Sequence, residues 1–174
     1  MLWLSLVLAG LIAPVLPAEN PDMPAQAARG KGFFLDAANK VHCSSCHEME
    51  KQGTAVGPDL TKVGRLSPRA VLISMLSTRT VYVKEVELKT KDKFPAMIAS
   101  ESGNEVKLYD LSRTPPAPMT LEKTAIYAVR DNGVWKHPPE SAGLSAEKLA
   151  DIISYVRWVA FGDTKGVSPD ELKQ

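Results

Sequence analysis

Apolar residues recur at intervals of three and four in three segments of the chain, which is the spacing of one helix face. The first helix is predicted over residues 24–40, where Pro24 suits a first-turn position. The second begins at Ser67, an N-cap residue followed by proline. The third is expected between the N-cap Ser145 and the terminating Gly162, and its apolar stripe consists of Leu149, Ile152, Ile153, Val156 and Val159.

Between the second and third helices the pattern changes to an alternation of apolar and polar residues, which is typical of half-buried strands. The predicted strands are residues 86–90, 106–109 and 126–129. Residues 113–118 are rich in proline and are predicted to form a rigid loop rather than a central strand. We therefore expect a small antiparallel sheet over residues 80–135, inserted before the last helix.

Composition narrows the functional classes. The chain has 174 residues, a net charge of +1, 44% hydrophobic and 24% charged residues, which is typical of one globular domain with a leader. The balanced charge gives no general electrostatic reason to bind nucleic acid. Two cysteines exclude a disulfide-rich scaffold, since they can form one bridge at most.

The first 18 residues carry no charge and are mostly apolar, with Pro14 and Pro17 ending the apolar run before Ala18. This pattern predicts a secretory signal peptide over residues 1–18, although the usual basic start is missing. The alternative is an uncleaved anchor, for which the two prolines are unfavourable. We expect an exported, periplasmic protein with no transmembrane span after cleavage.

The segment Cys43-Ser44-Ser45-Cys46-His47 uses both cysteines of the chain. Two thiols at this spacing can add to the two vinyl groups of one haem, and the adjacent imidazole can then bind the iron. A disulfide or redox dithiol, a zinc site and a chance match remain as alternatives. A redox dithiol would not need His47, and zinc would need two further ligands.

Pro58 stands eleven residues after His47, within the segment Gly57-Pro58-Asp59-Leu60. Together with the cysteine motif, this segment resembles the cytochrome c superfamily, in which a GPxL segment lies against the haem. The resemblance implies that the Pro58 carbonyl accepts the Nδ1 proton of His47 and that Leu60 packs on the porphyrin. It also implies one covalent haem c bound through Cys43 and Cys46.

The expected fold is mainly α, with cytochrome c-like helices around one haem and the small antiparallel insertion before the C-terminal helix. The cytochrome c domain is expected over residues 24–162 and a C-terminal tail over 163–174. In the family, the first and last helices cross at a glycine and aromatic residues. The corresponding residues in this chain are Gly30, Phe34, Tyr155 and Trp158.

From Cys43 to Ala160 the order of motifs is similar to that of the planctomycete-type haem-binding domain. That family usually has Met-Pro in its second ligand segment, whereas this sequence has His137-Pro138. His137 is therefore predicted as the sixth iron ligand beside His47, with Met119 as the alternative. Two other methionines, Met97 and Met75, are predicted to be core residues.

The resemblance implies an exported mono-haem c-type cytochrome that transfers single electrons and is not itself an enzyme. Its partners would be redox proteins, such as a periplasmic dehydrogenase or a terminal reductase or oxidase. The alternatives are a small peroxidase-type or reductase-type enzyme with an open or displaceable sixth ligand, and a sensing or structural haem subunit of a complex.

Overall fold

The computed structural model describes residues 22–36, 38, 42–76, 82–137 and 143–173. The predicted signal peptide and Pro138 lie outside the described residues. The α-helices are α1 (Ala25–Phe34), α2 (Thr61–Gly64), α3 (Pro68–Leu76) and α4 (Ala146–Phe161). The strands are β1 (Val83–Leu88), β2 (Lys93–Ser102), β3 (Glu105–Asp110), β4 (Ala117–Glu122) and β5 (Ile126–Asp131). Short 3₁₀ turns occupy Cys43–Ser45, Lys123–Ala125 and Pro169–Leu172.

Helix α4 is the scaffold of the helical part and is buried along most of its length. The Ser145 side chain accepts a hydrogen bond from the Lys148 backbone, which satisfies an amide of the first turn. Gly162 ends the helix with φ of 74°, a left-handed conformation that glycine adopts at little cost. Both ends of the predicted third helix are thus confirmed.

Helix α1 crosses α4 at very short range. A Cβ atom on Gly30 would lie 1.9 Å from the Asp151 carbonyl oxygen, so only glycine permits this approach. Beside it, Arg29 donates two hydrogen bonds of 2.9 Å to the Asp151 carboxylate. Phe34 meets Tyr155 edge to face with ring centroids 5.5 Å apart. The predicted contact between the first and last helices is confirmed.

Helix α1 is shorter than predicted, because it ends at Phe34 instead of continuing to residue 40. The Leu35 amide still bonds to the Lys31 carbonyl, but the Asp36 carboxylate then accepts the amide of Ala38. A local bond of this kind offers the backbone an alternative to the next helical turn. Residues 37 and 39–41 lie outside the described residues.

The C-terminal residues are packed onto the helices. Val167 and Leu172 belong to one buried cluster with Val71 of α3 and Ile153 of α4. The Gln26 side chain donates to the Val167 carbonyl and accepts from the Val167 amide, at 2.7 and 2.8 Å. This pair of bonds holds the C-terminal segment against α1.

The five strands form one antiparallel sheet in the order β4-β3-β2-β1-β5. Apolar side chains from all five strands form a hydrophobic cluster of their own. Its fully buried members are Val86, Ala96, Val106 and Leu108. The two buried clusters of the helical part share no member with it, so the sheet has a separate core.

The expectation of a mainly α, cytochrome c-like fold is wrong. Strand accounts for 26% of the described residues and helix for 36%, and the four α-helices of that part are short apart from α4. The predicted loop at residues 113–118 is also too long, since β4 begins at Ala117. Pro118 is accommodated because β4 is an edge strand, where a missing amide breaks no ladder.

Within the described ranges, none of the helices combines the length and the hydropathy that a bilayer span requires.

Candidate functional site

The cysteine motif folds as a single tight turn. The Cys43 carbonyl accepts hydrogen bonds from the backbone amides of Cys46, at 3.2 Å, and of His47, at 2.9 Å. The turn starts at His42, whose ring lies 3.2 Å from the Ser45 hydroxyl. Both cysteines are half-buried and neither forms a disulfide. Cys43 and Cys46 are therefore held one turn apart, directly before His47 in the chain.

Burial makes both thiols poor nucleophiles as they stand. It raises the pKa of Cys43 to about 11, and it also raises the pKa of Cys46. A reactive redox dithiol depends on a lowered thiol pKa, because the thiolate is the nucleophile. The environment of these cysteines therefore does not favour the redox-dithiol alternative.

The His47 ring is fixed by the segment that carries Pro58. The Cys46 carbonyl accepts the amides of Val56 and Gly57, at 3.0 and 2.6 Å, which brings that segment beside the ring. His47 Nδ1 then lies 2.8 Å from the Pro58 carbonyl oxygen. Since a carbonyl can only accept, Nδ1 carries the proton and Nε2 keeps its lone pair for a metal.

Gly57 is required by the same contact. A Cβ atom there would lie 2.5 Å from Cε1 of His47 and 2.9 Å from its Nδ1. After Pro58, the Asp59 carboxylate accepts the backbone amide and the hydroxyl of Thr61, and these bonds lower the pKa of Asp59. The turn leading into α2 is thereby anchored. Leu60 is half-buried. Like Cys43, it packs against the buried cluster that contains Phe34 of α1 and Tyr155 of α4.

A second turn behind the motif was not predicted from the sequence. Glu50 has a positive φ of 50°, and its carboxylate accepts the Tyr155 hydroxyl at 3.0 Å and the Lys31 ammonium at 2.9 Å. The turn continues to Gly53, where a Cβ atom would lie 2.4 Å from the His47 carbonyl. The carboxylate thus ties α1 and α4 to the backbone of the motif. A lone glutamate in a loop carries no local signal of this role.

His137 lies beside His47. The two imidazole centroids are 6.3 Å apart, and the ring planes are inclined by only 19°. Both rings are half-buried, and burial lowers the pKa of each, with the nearby His47 adding to the effect on His137. Lowered pKa values keep the two imidazoles neutral, which is the form that binds metals.

The spacing of the two rings suits an iron ion between them. With metal–nitrogen bonds of about 2.0 Å, two imidazoles that bind one metal from opposite sides have ring centroids about 6 Å apart. Two cysteines one turn apart, followed directly by a histidine, are the protein groups that a covalent haem requires. The residues present therefore fit haem c: Cys43 and Cys46 would attach it, and His47 and His137 would bind its iron.

The alternative ligand Met119 lies elsewhere. It packs against the core of the sheet with Leu121 and Ile126. Met97 is half-buried on β2, opposite Val83. Met75 of α3 packs against both clusters of the helical part. The geometry brings His137 to His47 and gives Met119 a packing role.

The zinc alternative gains no ligands from the fold. Structural zinc takes four side chains, usually cysteine and histidine. Throughout the described ranges, no three His, Cys, Asp or Glu side chains are grouped in a way that could hold a metal ion.

No protein-family model matches this sequence, and no curated protein is significantly similar to it. The similarity to the cytochrome c superfamily therefore rests on the motifs of the chain itself, and membership of a haem-binding family stays a prediction.

Proposed function

We propose that this chain is an exported mono-haem c-type cytochrome that carries single electrons between redox proteins. The observation that carries the proposal is the parallel His47–His137 pair at 6.3 Å, next to two cysteines spaced for covalent haem attachment. A bound haem would supply reversible one-electron chemistry at its iron. Export is part of the proposal, because haem is attached to such motifs outside the cytoplasm.

The protein residues have separate tasks in this scheme. Cys43 and Cys46 hold the cofactor by thioethers, so it cannot dissociate. The Pro58 carbonyl fixes the tautomer of His47 and raises the basicity of its Nε2. His137 would be the second protein ligand of the iron and would leave no ligand position open to a substrate. Two imidazoles also give a lower potential than an imidazole with a thioether, since thioether ligation raises it.

A carrier is favoured over a peroxidase-type or reductase-type enzyme by the position of His137. An enzyme of that kind needs an open or displaceable sixth position, whereas the His137 ring lies 6.3 Å from the His47 ring and would occupy that position. Suitable partners are redox proteins such as a periplasmic dehydrogenase or a terminal reductase or oxidase.

The test is expression of the full chain, with its leader, in a host that attaches haem c. Acid–organic extraction should leave the haem on the polypeptide, and the variant with both Cys43→Ala and Cys46→Ala should carry none. The absorption spectrum should be low-spin in both oxidation states. His137→Ala should become high-spin, whereas the volume-conserving control Met119→Leu should stay low-spin. Freely extractable haem would refute the attachment, and a high-spin wild type would favour an enzyme or a sensor.

A further inference from the structure

The segment between β5 and His137 is shaped by Asn132. Its side-chain oxygen accepts the backbone amides of Val134, at 3.2 Å, and of Trp135, at 2.9 Å. The backbone amide of Asn132 donates to the Val83 carbonyl at 3.0 Å, and this bond attaches the turn to the start of β1. A side-chain turn of this type fixes the backbone direction without regular secondary structure.

Trp135 is the residue that this turn delivers to the site. Its indole meets the His137 ring edge to face, with centroids 6.2 Å apart and planes inclined by 77°. This is a favoured arrangement of two aromatic rings. Trp135 is half-buried, whereas its neighbour Val134 is 84% exposed. Of these two neighbours, it is therefore Trp135 whose side chain packs against the His137 ring.

We propose that Trp135, held in place by Asn132, is a positioning residue that fixes the plane of the His137 imidazole parallel to that of His47. The inference rests on the proposed haem site. The indole edge restricts rotation of the half-buried His137 ring about its Cβ–Cγ bond. The restriction keeps the 19° angle between the two rings and keeps His137 in reach of a metal.

The experiment uses the full-length, haem-loaded protein and five variants. Trp135→Ala and Asn132→Ala remove the contact and the turn, whereas Trp135→Phe keeps an aromatic edge and Asn132→Asp keeps the acceptor. Val134→Ala is the matched control in the same loop. The readouts are the rate of carbon monoxide binding to the reduced protein, which requires His137 to leave, and the ferric electron paramagnetic resonance spectrum, which depends on the angle between the two axial imidazoles.

Trp135→Ala and Asn132→Ala should raise the carbon monoxide binding rate between about twofold and tenfold, from the strength of one aromatic pair. Both should also shift the paramagnetic resonance signal. Trp135→Phe, Asn132→Asp and Val134→Ala should stay close to wild type.

Three outcomes would overturn the inference. If Trp135→Ala leaves the binding rate and the resonance signal unchanged while His137→Ala turns the iron high-spin, the positioning role is wrong and the proposed function stands. If Val134→Ala changes the rate as much as Trp135→Ala, the effect comes from the loop in general and the indole has no special role. If the wild type carries no covalent haem, the proposed function and the inference both fail.

Discussion

Replacing Gly57 with alanine tests how firmly His47 is held. The new Cβ atom would lie 2.5 Å from Cε1, 2.9 Å from Nδ1 and 3.1 Å from Nε2 of the His47 ring. Nonbonded carbon atoms favour separations of about 3.5–4.0 Å, so the ring and the methyl group must move apart by about 1 Å. A shift of that size breaks the 2.8 Å bond from Nδ1 to the Pro58 carbonyl.

The cost of the substitution depends on what else holds the ring. A ring with no other bond can swing away, and the free energy of unfolding then falls only by the lost hydrogen bond, about 0.5–1.5 kcal/mol. A ring bound to iron cannot swing away, so the segment with Gly57 and Pro58 must move instead; the bond to Pro58 is then lost, and overpacking adds about 1–3 kcal/mol. We therefore expect Gly57→Ala to destabilise the haem-loaded protein by about 2–4 kcal/mol and to increase its high-spin fraction.

The assay is urea denaturation of the haem-loaded protein, with the absorption spectrum recorded before unfolding. The matched control is Gly32→Ala in α1, because a Cβ atom there meets nothing within 4 Å. That variant should be more stable than wild type by up to about 1 kcal/mol, since alanine is the better helix former. A loss below about 1 kcal/mol in Gly57→Ala, with an unchanged low-spin spectrum, would refute the view that His47 is tethered.

Two further predictions concern the helical part. Gly30→Ala should destabilise the protein by about 3 kcal/mol or more in urea denaturation, because its Cβ atom would lie 1.9 Å from the Asp151 carbonyl oxygen. A stability equal to that of Gly32→Ala would contradict the close crossing of α1 and α4. Tyr155→Phe removes the hydrogen bond to Glu50, and its free energy of unfolding at pH 7 should be lower than that of wild type by about 1.5–3 kcal/mol. Burial and that carboxylate raise the pKa of Tyr155 above its ordinary value. Unfolded wild type therefore releases a proton above about pH 10 that the folded protein keeps, so stability falls there. Urea denaturation at pH 7 and above pH 10 should show a smaller loss of stability with pH in Tyr155→Phe than in wild type. An equal loss in both proteins would show that Tyr155 is not the group responsible.

The parts of the fold that were predictable are those with a local signal. Helix α4 could be bounded from sequence because Ser145 and Gly162 supply chemically distinct ends. Strand β4 was missed because Pro118 argues against a strand unless the strand is known to lie at an edge. Edge position is a property of the assembled sheet, and no local pattern contains it.

The error in fold class has a related cause. The helical signals matched a known arrangement, and the alternating segments were counted as a minor insertion. The strands instead form a complete five-stranded sheet with its own buried core around Val86 and Leu108. Alternation predicts individual strands, but whether they form a decoration or a separately packed unit depends on long-range pairing.

The candidate site divides in the same way. Cys43, Cys46, His47 and Pro58 lie within one short stretch, so their spacing could be read directly. His137 was inferred from the proline that follows it and from its place before the last helix, where the resembled family has Met-Pro. The Glu50–Tyr155 hydrogen bond joins a loop to the middle of α4, and no sequence motif around either residue predicts it.

The position of His137 depends on the sheet, because His137 lies on the segment that follows the edge strand β5. The turn at Asn132 is bonded to the Val83 carbonyl, and Lys84 is paired with Asp131 at the end of β5. The end of the sheet therefore sets where the segment carrying His137 begins. The motif with His47 is instead anchored to α1 and α4 through Glu50. His47 is thus tied to the helical part and the segment of His137 to the end of the sheet, so the 6.3 Å spacing of the two rings depends on how these two parts are joined.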